Sequence, residues 1–272
     1  MCVENMLFKG LRQPAAPSFF LRHTHETPAR SLAGSHGRRI WDSAFILQKG
    51  DVTVRIARTG HDLHLAEWLV KERYAWRGYQ LPTPHVHHPL RKTFLASSGD
   101  RLLGTLSILL DSKAGLVADA LFKQELDGHR RLGRRVCELG KLAISQAGNS
   151  REVATALFNM AYLYGRTIHR VSDTFIEVNP RHVSFYRRLL GFDVAAKGLH
   201  CPRVDAPAIL MHLDVAHADR QISQLTTSGC PARKTGSRSP YSSFLTVQQE
   251  ESLIEASLEP TEAEAASQVT FA

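Results

Sequence analysis

The chain has 272 residues, a formal net charge of +8 and 43% hydrophobic residues, enough apolar material for one sizeable folded unit. No apolar run approaches the roughly 18–20 residues that span a bilayer, and Phe19–Leu21 is too short for a secretory h-region, so no transmembrane segment is expected. Cys2, Cys137, Cys201 and Cys230 lie far apart and form no CxxC, which reads as reduced thiols in a cytoplasmic protein.

The charge is unevenly spread. Residues 51–214 carry 23 Lys/Arg against 16 Asp/Glu, whereas the last thirty residues carry six Glu and no Lys or Arg. A basic folded centre suits an acidic partner. Helix-turn-helix, zinc-finger and aromatic RNA-binding patterns are missing from the sequence, so nucleic acid is not the expected partner.

Residues 1–48 scatter Pro, Ser, Gly, His and Arg with little periodicity and are expected as a flexible leader. The folded domain is expected over 49–215. VTVRIA, Val52–Ala57, alternates as a strand. His61–Tyr79 has helical spacing, with Leu63, Ala66, Leu69, Val70 and Arg73 on one stripe. Leu81–Pro89 is broken by three prolines into a loop. Its His85, His87 and His88 have a spacing open to zinc. No Cys or carboxylate cluster completes the set, so a solvent-facing loop and no metal are expected.

Thr93–Ser97 and Arg101–Leu110 read as a hairpin around Ser97–Asp100. Leu116–His129 reads as a helix with Leu121, Phe122 and Leu126 as its apolar stripe. The basic run His129–Arg135 is expected as solvated surface first and as a dock for an acidic protein second.

The next segment, RRVCELGKLAI, places an acid and a base on an expected central strand. LLGTLSILLD, Leu102–Asp111, is its expected hairpin partner. Alternation puts Val136, Glu138 and Gly140 on one side and Cys137, Leu139 and Lys141 on the other. A carboxylate within an apolar strand is costly unless paired, hydrogen-bonded or functional. Glu138 is therefore either half of a buried ion pair or a functional acid. Cys137 is expected as a small core residue rather than a nucleophile.

Asn149 is placed to cap a helix running to about His169, with Glu152 as its capping-box partner. Thr174–Val178 is a strand, and His182–Leu190 a short helix closed by Gly191. Phe192–Ala195 and Ala208–Leu213 are the last strands, and 216–272 is expected as a disordered tail. Within that tail, Phe244–Leu258 has amphipathic helical spacing.

Four segments in this order, VKERYAWRGY, LLGTLSILLDSKAGLVADALF, RRVCELGKLAI and EVNPRHVSFYRRLLGF, resemble the long-chain N-acyl amino acid synthases. These are related in fold to the acyl-homoserine-lactone autoinducer synthases. The resemblance spans roughly Val52–Leu213. It implies an α/β fold of the GNAT acyltransferase type, a mixed and mostly antiparallel sheet flanked by helices. It implies transfer of a long-chain fatty acyl group from acyl carrier protein to the amine of an amino acid, with acyl-phosphopantetheine as donor and no bound cofactor.

Glu138-Leu139-Gly140-Lys141 stands where the autoinducer synthases have Glu-x-Ser-Arg, so Lys141 replaces an arginine and removes its bidentate fork. Ser107 stands near another of their arginines, and their Asp-x-x-Asp pair is missing after Trp76. These departures point away from a lactone product.

The resemblance implies that Glu138 takes the acceptor's proton and Tyr186 protonates the leaving sulfur. It also implies that a backbone amide within Gly140, Lys141 and Leu142 faces the oxyanion. Arg73, Tyr74, Trp76, Ser107, Asn179 and Arg181 are the implied substrate-binding residues. Ordinary core packing is the alternative for Tyr74, Trp76 and Tyr186, and relief of crowding for Gly140. Gln146–Ser150 holds one glycine and lacks the pyrophosphate loop of coenzyme A-dependent relatives. An acyl-homoserine-lactone synthase, a coenzyme A-dependent acetyltransferase and a non-catalytic acyl-binding domain remain the alternatives.

Overall fold

The computed structural model describes residues 46–76, 78, 88–147, 149–227 and 239–244. Eight strands form one sheet: β1 (Ile46–Lys49), β2 (Val52–Ile56), β3 (Arg91–Ser98), β4 (Arg101–Leu110), β5 (Val136–Ile144), β6 (Asp173–Val178), β7 (Asp193–Cys201) and β8 (Ala206–Asp214). Their order is β1-β2-β3-β4-β5-β6-β8-β7. Every neighbouring pair is antiparallel except β5 and β6. This is the expected mixed, mostly antiparallel α/β sheet.

Helices α1 (Gly60–Ala75) and α2 (Asp119–Arg131) cover one face. The other carries α3 (Ser150–Tyr162), its π-helical continuation Leu163–Ile168, α4 (Val183–Leu190) and α5 (Val215–Thr227). The main core lies under this second group, where Leu106, Ile108, Leu157, Met160, Leu163 and Phe192 are almost fully buried. Gly104 lets α3 approach β4, because a Cβ there would stand 2.8 Å from Val153 Cγ1. A smaller core of Leu109, Phe122, Leu126, Phe175 and Leu210 seats α2 on the first face.

Local signals explain where the helices start and stop. Thr59 and Asp62 form a reciprocal capping box on α1, and Arg55 grips the Asp62 carboxylate at 2.6 and 2.9 Å. The Asn149 side chain caps α3, but it receives the amides of Arg151 and Glu152 without the expected return bond from Glu152. Gly191 closes α4 with φ of 75°.

Several expectations are corrected. The leader boundary at residue 48 runs through β1, which pairs with β2. The tail boundary at 216 runs through α5, whose Val215, Ala218 and Ile222 are buried. Tyr241 and Phe244, further along, are also buried in the main core. Residues 1–45 and 245–272, including most of the amphipathic stretch Phe244–Leu258, lie outside the described residues. LLGTLSILLD is the antiparallel neighbour of β5, but the chain reaches β5 through α2; its hairpin partner is β3. Among the described residues, no helix is long and apolar enough to cross a membrane.

Candidate active site

Two irregularities in β5 open the sheet. Ser107 pairs with Gly140 and Thr105 with Ala143, so Lys141 and Leu142 together oppose Leu106. This is a β-bulge, and Lys141 takes the left-handed φ of 55° within it. The second is a splay. Pairing of β5 with β6 ends at Leu139–Ile176, although β5 runs on to Ile144 and β6 to Val178. The strands part where the bulge begins.

The bulge also resets the alternation. Lys141 was expected on the side away from Glu138, yet its charge acts on Arg91 and on Glu67 of α1, which lie on Glu138's side. Leu142 packs instead against the main core. Burial, with Arg91 nearby, brings the Lys141 ammonium down to about 8.

Glu138 is 8% exposed, and its Oε2 accepts the Ala118 amide at 2.9 Å. No Lys or Arg lies within ion-pair distance of it among the described residues, so the buried ion pair is not what holds it. Burial pushes its carboxyl up to about 7. The Ala118 amide, at the positive end of α2, opposes the shift. The α2 entrance is fixed by Arg130, which donates to Asp111, Asp119 and Asp127 at 2.6–2.8 Å. Arg134 is likewise occupied, by Asp173 and Asp214. The basic run thus engages two of its arginines in ion pairs, Arg130 half-buried and Arg134 exposed, and it enters β5 at the end opposite the splay.

Arg91 is a residue that sequence reasoning missed. Register places it in one row with Leu109, Glu138, Phe175 and His212 across five strands, all on one face. It is half-buried, and its charge acts on Glu138 and Lys141. No hydrogen bond or ion pair among the described residues engages its guanidinium. A register known only from the folded sheet was needed to find it.

The remaining candidates divide. Ser107 lies on the same face, 4% exposed, with its hydroxyl 2.9 Å from that of Thr93. Tyr186, on α4, packs edge-on against Phe158 and Phe192 at 6.3 and 6.1 Å. Burial holds its phenol above the ordinary value, and Tyr74 of α1 adds to the rise. These tyrosines sit on helices of opposite faces, so the splay is where they come near. Arg73 and Trp76 stack on each other at 5.2 Å. Asn179 serves the backbone: it accepts from the Arg181 amide and donates to the Pro207 carbonyl. Arg181 is exposed beyond the end of β6. Cys137 is buried, and burial raises its thiol to about 12, the behaviour of a core residue.

His129, Asp173 and His212 bring three ligand atoms within 4.8 Å of one another, a grouping the sequence did not suggest. Arg134 and Ser172 also donate to that carboxylate, and a fixed guanidinium there opposes a cation. His85 and His87 lie outside the described residues. His88 Nδ1 accepts the Leu90 amide at 3.2 Å.

Comparison with known proteins follows the same lines. The profile of a family described as N-acyl amino acid synthase FeeM matches residues 66–214. The solved structure of FeeM, an N-acyl amino acid synthase from uncultured soil microbes, is similar with a TM-score of 0.58 and 29% identity. The alignment covers 64% of this chain and 97% of that one. A putative N-acetyltransferase from Lactobacillus plantarum aligns at 15% identity and TM-score 0.46, over 61% and 99% of the two chains. Ribosomal-protein-S5-alanine acetyltransferase from Vibrio fischeri aligns at 12% and 0.44, over 63% and 97%. No curated protein matches. With more than half its length matched by that profile, the chain belongs to the FeeM family of N-acyl amino acid synthases and is an acyltransferase.

Proposed function

We propose that this protein transfers a long-chain fatty acyl group from acyl carrier protein to the α-amine of an amino acid. The observation that carries the reading is one juxtaposition beside the splay. An acid with a pKa of about 7, Glu138, shares a face with Arg91, whose guanidinium has no partner among the described residues. An amino acid supplies the complement of both: a carboxylate for Arg91 and an ammonium whose proton Glu138 takes.

The reaction then runs as follows. The freed amine attacks the thioester carbonyl, the new N–C bond forms, and negative charge develops on oxygen. Backbone amides of the Gly140–Leu142 bulge, unpaired with β6, face that oxyanion. The C–S bond breaks and the phosphopantetheine thiolate takes a proton from Tyr186, a phenol that burial keeps protonated, while the new amide nitrogen gives up its second proton, which restores Tyr186 through water. Glu138 returns its proton to solvent. Because a thioester is already activated, neither metal nor redox chemistry is required.

Two features support a carrier-bound donor over free coenzyme A. Asn149 already occupies the Arg151 and Glu152 amides at the start of α3, where a pyrophosphate would otherwise bind. Exposed Arg181, Arg187 and Arg188 follow β6 on the turn and helix next in the chain, suited to an acidic carrier. Carrier-borne acyl chains and two buried free thiols, Cys137 and Cys201, fit a cytoplasmic enzyme.

The test is mass spectrometry of purified protein with carrier proteins charged with different acyl chains and all common amino acids. The expected result is an N-acyl amino acid that is lost with Glu138→Gln and when acyl-coenzyme A replaces the carrier. Folded protein giving no product with any donor overturns the reading in favour of a non-catalytic acyl-binding domain.

A further inference from the structure

On the face of the sheet opposite Glu138, the main core encloses an apolar cavity of about 40 Å3. Leu139 and Cys137 of β5 form its roof, Phe158 and Phe192 its near wall, and Tyr241 and Phe244 its far end. Three observations set it apart from a packing defect. Phe158 and Phe192, which line it, are also the rings packed on Tyr186, and Leu139 is the last β5 residue paired with β6, so it lies beside the splay. The helix beside it is drawn into a π-turn at Leu163–Ile168, a distortion that recurs at functional sites. Gly165, in that turn, leaves space that a side chain would take: a Cβ there would stand 3.3 Å from Ile108 Cδ1.

The far end is a built closure. Tyr241 donates its hydroxyl to the Leu190 carbonyl at 2.7 Å, and its ring packs on Phe244 at 5.1 Å. Phe244 packs in turn on Tyr162 at 5.7 Å. This segment lies outside the matched residues 66–214.

We propose that the cavity receives the terminal carbons of the acyl chain, and that Tyr241 and Phe244 form a floor that sets the chain length accepted. The proposal rests on the acyl-transfer reading above. An apolar cavity stays dry, and at roughly 10–15 Å3 per water-sized group this one has room for about three. That suits the end of a chain whose earlier carbons lie along Phe158 and Phe192. The acyl tail and the amine thus approach from opposite faces and meet at the splay, with the thioester between Tyr186 and the bulge.

The experiment offers the full chain an equimolar mixture of carrier proteins bearing saturated acyl chains of graded length, with one accepted amino acid, and reads product lengths by mass spectrometry. Phe244→Ala is expected to move the product maximum to longer chains, and Phe244→Trp to shorter ones. The long-to-short ratio of kcat/KM should change by about tenfold, since one methylene in an apolar pocket discriminates by roughly 10–200-fold. Gly165→Ala, acting from the other wall, should shift products toward shorter chains and serves if the Phe244 variants do not fold. Folded, active variants with the wild-type length distribution overturn the floor. Wild-type protein that makes no acyl amino acid from any carrier overturns the transfer reading on which the floor depends.

Discussion

Glu138 Oε2 accepts the backbone amide of Ala118 at 2.9 Å, across the gap between a central strand and the turn that opens α2. The bond orients the carboxyl without neutralising it by a counter-ion. Burial therefore governs its titration and lifts it to about 7. A base in this range takes a proton from an ammonium near neutral pH and can release it again.

The titration of Glu138 should be visible twice. kcat/KM for the acceptor is expected to rise with pH through about 7, and Glu138→Gln should remove that limb with most of the activity. Stability should respond in the opposite sense. The folded pKa exceeds the unfolded value, so the folded state favours the protonated acid. That contribution is full below about pH 4 and is lost as pH rises through 7. Glu138→Gln should therefore unfold later than wild type at pH 8, by up to about 3 kcal/mol, in urea melts, with the difference gone at about pH 4.

Arg91 should read the acceptor's carboxylate. Arg91→Met is expected to raise KM for the amino acid by about 10–100-fold, the range of a lost charge-assisted hydrogen bond. The decarboxylated amine of the same side chain should be used equally well by wild type and variant. Steady-state kinetics with the two acceptors checks this; an equal loss for both would place Arg91 elsewhere in the mechanism.

Lys141 sits in the left-handed region at φ of 55°, a conformation costing a non-glycine residue roughly 1 kcal/mol. Lys141→Gly should relieve that cost and hold or raise the melting temperature, while loss of the ammonium beside Arg91 weakens the hold on the acceptor's carboxylate and acyl transfer falls. The loss should be greatest below pH 8, where the Lys141 ammonium is charged. Thermal melts and initial rates on the same preparation separate the two effects.

Carrier docking should depend on the basic rim after β6. Reversing the exposed Arg181 and Arg188 to Glu is expected to raise KM for acylated carrier by about tenfold at low ionic strength, with kcat little changed. The difference should shrink as salt screens it. Reversing Arg131, exposed at the end of α2 away from the splay, should have little effect.

Short-range pattern made much of this protein legible in its sequence. Strand β4 falls where the Ser97–Asp100 turn places it, and Asn149 and Gly191 bound their helices as a capping side chain and a left-handed glycine do. Glu138 stood out because a carboxylate inside an apolar strand needs a reason, and the quoted motifs led to the family. Such signals are local: each depends on a residue and neighbours within a turn or two.

What only the tertiary structure decided depends on how distant segments meet. Arg91 joins the site because β3 and β4 pair in one register, and a slip of one residue would turn it to the other face. Lys141 shares that face because a bulge cancels the alternation its sequence implies. Tyr241 and Phe244 enter the core from a stretch that composition alone reads as tail. Arg130 and Arg134 are held by carboxylates 19 and 39 residues away, Arg134 while staying exposed as the sequence implied. Periodicity measures the preference of a segment, whereas register, bulges and long-range ion pairs are settled by the free energy of the assembled sheet.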